Sequence, residues 1–103
     1  MIGLSDLPEL VQDYENGELL WSAAYPSLLQ LLGEHDVEVV IEGLSAELAS
    51  RFKESLRVEF ADEHWAEHGL WIDSAGGEPP NRRQIVARIQ TWLKKDSASY
   101  RLA

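Results

Sequence analysis

One short segment of the chain, residues 64 to 68, combines side chains that commonly hold a zinc ion. Its sequence is His64-Trp65-Ala66-Glu67-His68. Imidazole nitrogens and carboxylate oxygens are ordinary zinc ligands, and a carboxylate beside the metal can activate a water molecule. The segment therefore predicts, as one alternative, a metal-binding protein or a metal-dependent hydrolase that uses His64, Glu67 and His68.

The spacing H-x-x-E-H resembles the signature of the inverted-motif zinc peptidases. That resemblance covers five residues of a chain of 103. The peptidase chemistry needs a rigid helix, a third ligand and a cleft, whereas Gly69 follows the motif directly and the flanking residues show no helical period. We therefore expect no metal, no cofactor and no enzyme activity, with these histidines exposed beside a packing Trp65.

The sequence gives little support for a catalytic serine or for a phosphate-binding loop. A catalytic serine needs a base that is itself oriented, and nothing in the local sequence links a serine to one of the three histidines. The turn Ser74-Ala75-Gly76-Gly77 lacks the lysine of a phosphate-binding loop. We expect a surface loop at that point.

Charge is the most informative feature of the composition. Residues 1–50 contain ten acids and no Lys or Arg, which gives this half a charge of −10. Residues after position 80 contain six bases and one acid, which gives +5. An acidic chain repels phosphate backbones, so we expect no nucleic-acid binding and predict a basic protein as the partner. The alternative without a partner is that the acidic surface confers solubility and that the basic last helix docks on the acidic half of the same chain.

Aromatic residues between the predicted elements are the second informative feature. Trp, Tyr and Arg are the residues that most often anchor protein interfaces. A tryptophan in a loop either fixes that loop to the core or contacts a partner, and both interpretations remain open here. The predicted partner-binding residues are Glu15, Glu18, Trp21, Glu34, Asp36, Glu38, Trp65 and Trp71.

The remaining composition indicates the compartment and the functional class. The chain has no cysteine, no apolar run long enough to cross a membrane and no signal-peptide pattern at its start. These features predict a cytoplasmic protein without membrane contact, as a monomer or a weak homo-oligomer. In size, acidity and lack of catalytic residues it resembles the immunity proteins, small bacterial inhibitors that neutralise basic toxins. A self-associating accessory protein without catalytic activity is a further alternative.

Apolar spacing predicts an all-α fold, a compact bundle of four or five short helices. The expected helical stripes are Leu7/Leu10/Val11/Tyr14, Leu28/Leu29/Leu31/Leu32, Leu48/Phe52/Leu56/Phe60 and Ile85/Ile89/Trp92/Leu93. Asn16-Gly17 and Gly33 should end the first two helices, and Ser22 should cap the second, with Pro26 in its first turn. A long irregular loop over residues 62–80 should precede the last helix, which Asn81 should cap.

One element and the domain limits leave alternatives. Residues Val37 to Glu42 fit a short helix, but their β-branched residues also fit a strand. A small α+β fold with strands at Val37–Ile41 and either Arg57–Phe60 or Leu70–Ile72 is therefore the alternative. We predict one helical domain over residues 1–96 and a frayed C-terminal tail over residues 97–103.

Overall fold

A computed structural model describes residues 3–60 and 82–102, including the side chains of the last helix as far as Asp96. A short 3-10 turn at Leu4–Asp6 precedes α1 (Leu7–Glu15), α2 (Trp21–Leu31), α3 (Val37–Glu42), α4 (Ala46–Phe60) and α5 (Arg82–Leu102). These two ranges contain helices and no strand, which confirms the predicted all-α fold. The predicted loop over residues 62–80 lies outside the described residues.

Most of the core comes from the apolar stripes that the sequence predicts. Leu48, Phe52, Leu56 and Phe60 recur every fourth residue along α4, and all four are fully buried. This spacing places them on one face of the helix. The four predicted leucines of and after α2 are buried as well, as are Ile85 and Ile89 of α5. Each helix therefore faces one shared core.

The end of α1 is fixed by its glycine, as predicted. Gly17 has a φ of +79°, a conformation that side chains with a Cβ rarely adopt. Its backbone amide donates a hydrogen bond to the Tyr14 carbonyl, and the Glu18 amide donates one to the Asp13 carbonyl. The chain thereby leaves the helix and turns toward α2.

The start of α2 differs from the prediction. The helix begins at Trp21, with Leu20 as its N-cap, so Ser22 lies inside the helix and does not cap it. Pro26 consequently occupies the sixth helical position and not the first turn. A proline there cannot donate a hydrogen bond to the Ser22 carbonyl. The helix continues to Leu31 because its leucines are buried in the core.

Residues Val37–Glu42 form a helix, which excludes the predicted strand alternative at this segment. Val37 and Val40 are buried, and the exposed Val39 lies on the opposite side of the turn. Arg57–Phe60 belongs to α4, so it is not a strand either. Leu70–Ile72 lies outside the described residues.

The last helix is longer than predicted. α5 begins at Arg82, as expected from a cap at Asn81, but its backbone continues to Leu102, beyond the predicted boundary at Asp96. Fraying of residues 97–103 stays a prediction. α5 contacts both α3 and α4, and α1 contacts α2. No described helix combines the length and the apolar character that a membrane span requires.

Candidate partner-binding surfaces

The acidic half of the chain presents its charges to solvent. Of the ten acids in residues 1–50, nine are exposed and Asp13 is half-buried. Within the described part of the chain, Asp36 is the one of these ten that forms an ion pair. Most of the acidic charge of residues 1–50 therefore lies on the surface of the protein.

The structure divides the predicted acids into two groups. Glu15 is the last residue of α1, and Glu18 lies in the turn that leads to the amino end of α2. The other three acids lie beyond the carboxyl end of α2, around the start of α3. An eleven-residue helix is about 16 Å long. The five acids that the sequence grouped together therefore lie at opposite ends of α2. We name them the α1–α2 end (Glu15, Glu18) and the α2–α3 end (Glu34, Asp36, Glu38).

Trp21 belongs to an aromatic cluster at the α1–α2 end. Its ring stacks on Tyr25 with 5.1 Å between ring centroids and meets Tyr14 edge-on at 6.2 Å. Tyr25 in turn meets the buried Phe52 edge-on. Trp21 is half-buried in this arrangement and is packed against the core. Trp21 is the first residue of α2 and does not lie in a loop between elements, so its contacts fix the start of that helix to the core. Part of the ring remains accessible, and its predicted role in partner binding stays a prediction.

Arg51 completes this cluster, and the sequence analysis did not identify it. Its guanidinium carbon lies 4.7 Å from the centroid of the Trp21 ring, and it donates a 2.6 Å hydrogen bond to the Tyr14 hydroxyl. Both contacts cross from α4 to the α1–α2 region. An exposed Arg at position 51 of an amphipathic helix gives no local signal of such contacts, because they depend on tertiary packing.

Asp36 at the α2–α3 end is engaged within the molecule. Its carboxylate pairs with the guanidinium of Arg88 on α5, and its side chain remains 72% exposed. This pair is a direct contact between the acidic half and the basic last helix. The alternative in which the basic last helix docks on the acidic half of the same chain is therefore supported by one ion pair.

A cleft of about 310 Å³ lies beside this ion pair, between the start of α3 and one face of α5. It is lined by Asp36, Val37, Glu38, Gln84, Ala87, Arg88, Thr91, Trp92 and Lys95. The residues from α5 recur at helical spacing along one stripe. The acids of the lining come from the α3 side and the bases come from α5, so the two walls carry opposite charges.

A second ion pair connects α4 to α5. The Arg57 guanidinium donates hydrogen bonds of 2.7 and 3.2 Å to the two carboxylate oxygens of Asp96. These hydrogen bonds from Arg57 lower the pKa of Asp96; partial burial opposes them, and the positive charges of Arg57 and Lys53 add to the lowering. Arg57 also lies 5.7 Å from the centroid of Trp92.

Tyr25 places a hydroxyl group in the interior next to a carboxylate. Burial, followed by the neighbouring Glu59 carboxylate, raises the pKa of Tyr25 above its ordinary value. The Tyr25 hydroxyl and Glu59 Oε2 are both buried, yet neither completes a hydrogen bond of good geometry. The tyrosine is therefore neutral at physiological pH, and the pair places two polar groups in the core.

The remaining predicted site residues are not described by the structure. His64, Glu67 and His68, with Trp65 and Trp71, all lie outside the described residues, so their proposed roles stay predictions. Among the described residues, no group of three or more acids or histidines is arranged to hold a metal ion.

Comparison of the chain with models of protein families, with curated proteins and with solved structures found no match.

Proposed function

We propose that this protein is a cytoplasmic protein-binding module without catalytic activity, which binds and neutralises a basic protein partner in the manner of an immunity-type inhibitor. The observation that supports this proposal most directly is the exposure of nine of the ten acids in a half that lacks Lys and Arg. An acidic surface of this kind accelerates encounter with a basic partner and disfavours acidic ones.

The α1–α2 end is the better anchor of the two acidic ends. It combines Glu15 and Glu18 with the accessible part of Trp21, and Leu20 beside them is 72% exposed. Arg51 presents a guanidinium held over the indole. In protein interfaces, the residues that contribute most to binding are often Trp and Arg at the centre of the patch, with charged residues around them. At the other end, Asp36 is already paired.

The first step of the test is to capture partners from the source cells at low salt and to elute them with a salt gradient. The association rate is then measured with the identified partner. Two charge-reversal variants provide a matched comparison: E15K/E18K and E34K/E38K. Each changes the net charge from −9 by the same four units, so a general charge effect is equal in both. We expect E15K/E18K to lower the association rate about tenfold at low salt and E34K/E38K to lower it less.

If both variants lowered the association rate equally, only net charge would matter, and the α1–α2 end could not be assigned as the binding surface. Recovery of the protein without any stoichiometric basic partner would overturn the proposal itself. In that case self-association should be measured, since the acidic half and the exposed bases Lys94 and Lys95 of α5 are complementary between copies.

A further inference from the structure

The cleft between α3 and α5 has one feature that the proposed function does not use. Its acids, Asp36 and Glu38, stand at the start of α3, and its bases, Arg88 and Lys95, stand on α5. The lining is therefore electrically neutral as a whole but divided into a negative and a positive wall. Such a division is poorly suited to a simple anion or cation, because either would meet one wall of its own sign.

Two of these four charges pair with each other, although the buried Nε of Arg88 has no hydrogen-bond partner, and the other two do not pair. Asp36 and Arg88 form an ion pair across the cleft. Glu38 and Lys95 are both exposed, and neither forms an ion pair with another described residue. One unpaired carboxylate and one unpaired ammonium group thus remain at the cleft, one on each wall.

The floor of the cleft supplies apolar contact and hydrogen-bonding groups. Val37 and Trp92 are buried core residues with part of their surface at the cleft, and Ala87 adds a methyl group. Gln84 and Thr91 carry polar side chains on the same stripe of α5. A volume of about 310 Å³ is at the lower end of the range in which proteins bind small organic molecules.

We propose that this cleft binds a small zwitterion with an apolar body, of the class of a free amino acid or dipeptide. The ligand's ammonium group meets Glu38, its carboxylate meets Lys95, and its aliphatic side chain lies against Val37 and Trp92. The division of charge between the walls is what selects a zwitterion, because a ligand with both charges satisfies both walls at once. This site is independent of the protein-binding surface at the α1–α2 end.

The first test compares three peptides that differ only in their charged ends. Alanyl-leucine has both termini free, N-acetyl-alanyl-leucine lacks the ammonium group, and alanyl-leucinamide lacks the carboxylate. Binding is followed by NMR as a shift of the Trp92 indole N–H signal, assigned with a W92F variant. We expect saturable binding of alanyl-leucine with a Kd on the order of millimolar, as suits a small ligand in an open cleft, and weaker binding of both blocked peptides.

Variants of the cleft provide the second test. E38A and K95A should each weaken alanyl-leucine binding by about fivefold or more, and Lys94→Ala should not, because Lys94 is exposed next to Lys95 without lining the cleft. Circular dichroism and thermal melting of each variant confirm that the fold is retained. The proposal would be overturned if either blocked peptide bound as tightly as alanyl-leucine. It would also be overturned if K94A and K95A weakened binding equally, or if alanyl-leucine did not saturate the site at tens of millimolar.

Failure of this site leaves the protein-binding proposal unaffected, because partner association is read from E15K/E18K and not from the cleft. Conversely, absence of a basic partner does not change the expected result with the peptides. The two proposals are therefore distinguishable by experiment.

Discussion

At the scale of single residues, the arginines on α4 and α5 connect elements that are far apart in sequence. Arg51 joins α4 to Tyr14 and Trp21, Arg57 joins α4 to Asp96, and Arg88 joins α5 to Asp36. In each case a planar guanidinium meets a carboxylate or an aromatic ring, which are the groups it binds best. These three arginines therefore have structural roles in addition to their charge.

The Arg57–Asp96 pair gives a pH-dependent prediction. Because Arg57 lowers the pKa of Asp96 in the folded protein, the pair stabilises the fold above the pKa of an unfolded aspartate, about 3.9, and this contribution is lost as the pH falls through the folded value. D96N should lower the free energy of unfolding by about 1 to 2 kcal/mol at pH 7, since the Asp96 side chain is only 20% exposed. The difference from wild type should shrink below about pH 4 in urea titrations.

The control for D96N is E54Q. Glu54 lies 3.7 Å from Arg57 within the same helix, and its side chain is 69% exposed. Such a pair contributes little, so E54Q should change stability by less than about 0.5 kcal/mol. A D96N effect that persists unchanged at low pH would contradict an ionic origin.

The alternative of a zinc site at His64, Glu67 and His68 also gives a prediction for single residues. Because His64, Glu67 and His68 resemble a zinc-peptidase motif only locally, we expect substoichiometric zinc after purification without chelators, measured by elemental analysis. Stoichiometric zinc that is lost in H64A would instead establish a metal site.

At the scale of elements, α2 shows how burial overrides local propensity. Pro26 removes one backbone hydrogen bond from the middle of the helix, yet five of the eleven residues of α2 are buried. Burial of that many side chains provides several kcal/mol, which exceeds the cost of one interior proline of about 3 kcal/mol. The element forms for tertiary reasons.

Replacing this proline should therefore stabilise the protein. P26A restores the amide that can donate to the Ser22 carbonyl, and we expect an increase of about 1 kcal/mol or more in the free energy of unfolding, measured by urea denaturation. The matched control is P8A, because Pro8 occupies the first turn of α1, a position where proline is well tolerated. P8A should change stability by less than about 0.5 kcal/mol. A gain with P8A as large as that with P26A would rule out the missing hydrogen bond as the cause.

At the scale of the whole molecule, charge is unevenly distributed and only partly compensated. The acidic half contacts the basic last helix through Asp36 and Arg88, while the other acids of residues 1–50 form no ion pair with described residues. With a net charge of −9, repulsion among exposed carboxylates opposes the compact state.

This repulsion predicts a dependence of stability on salt. Raising NaCl from about 20 to about 300 mM should increase the free energy of unfolding by about 1 kcal/mol, since exposed charges are screened over a Debye length of roughly 10 Å or less. E15K/E18K and E34K/E38K should both show a smaller salt effect than wild type, measured as the urea midpoint at each salt concentration. A salt effect that is equal in all three proteins would exclude carboxylate repulsion as its origin.

The sequence by itself determined the class of fold, the positions of the described helices and most of the core. These follow from apolar spacing, which is local: Leu48, Phe52, Leu56 and Phe60 lie on one face of any helix that contains them. The same reasoning failed at Ser22 and Pro26, where burial of neighbouring leucines outweighs capping preference.

Only the tertiary structure decided which of the candidate site residues lie together. The sequence grouped five acids by their place in turns, whereas the length of α2 separates them into two ends. The cation over Trp21 and the charge-divided cleft were not predictable, because Arg51 reaches Trp21 and Arg88 reaches Asp36 across gaps of 30 or more residues in the chain. Such contacts depend on how helices pack, and no local pattern encodes that packing.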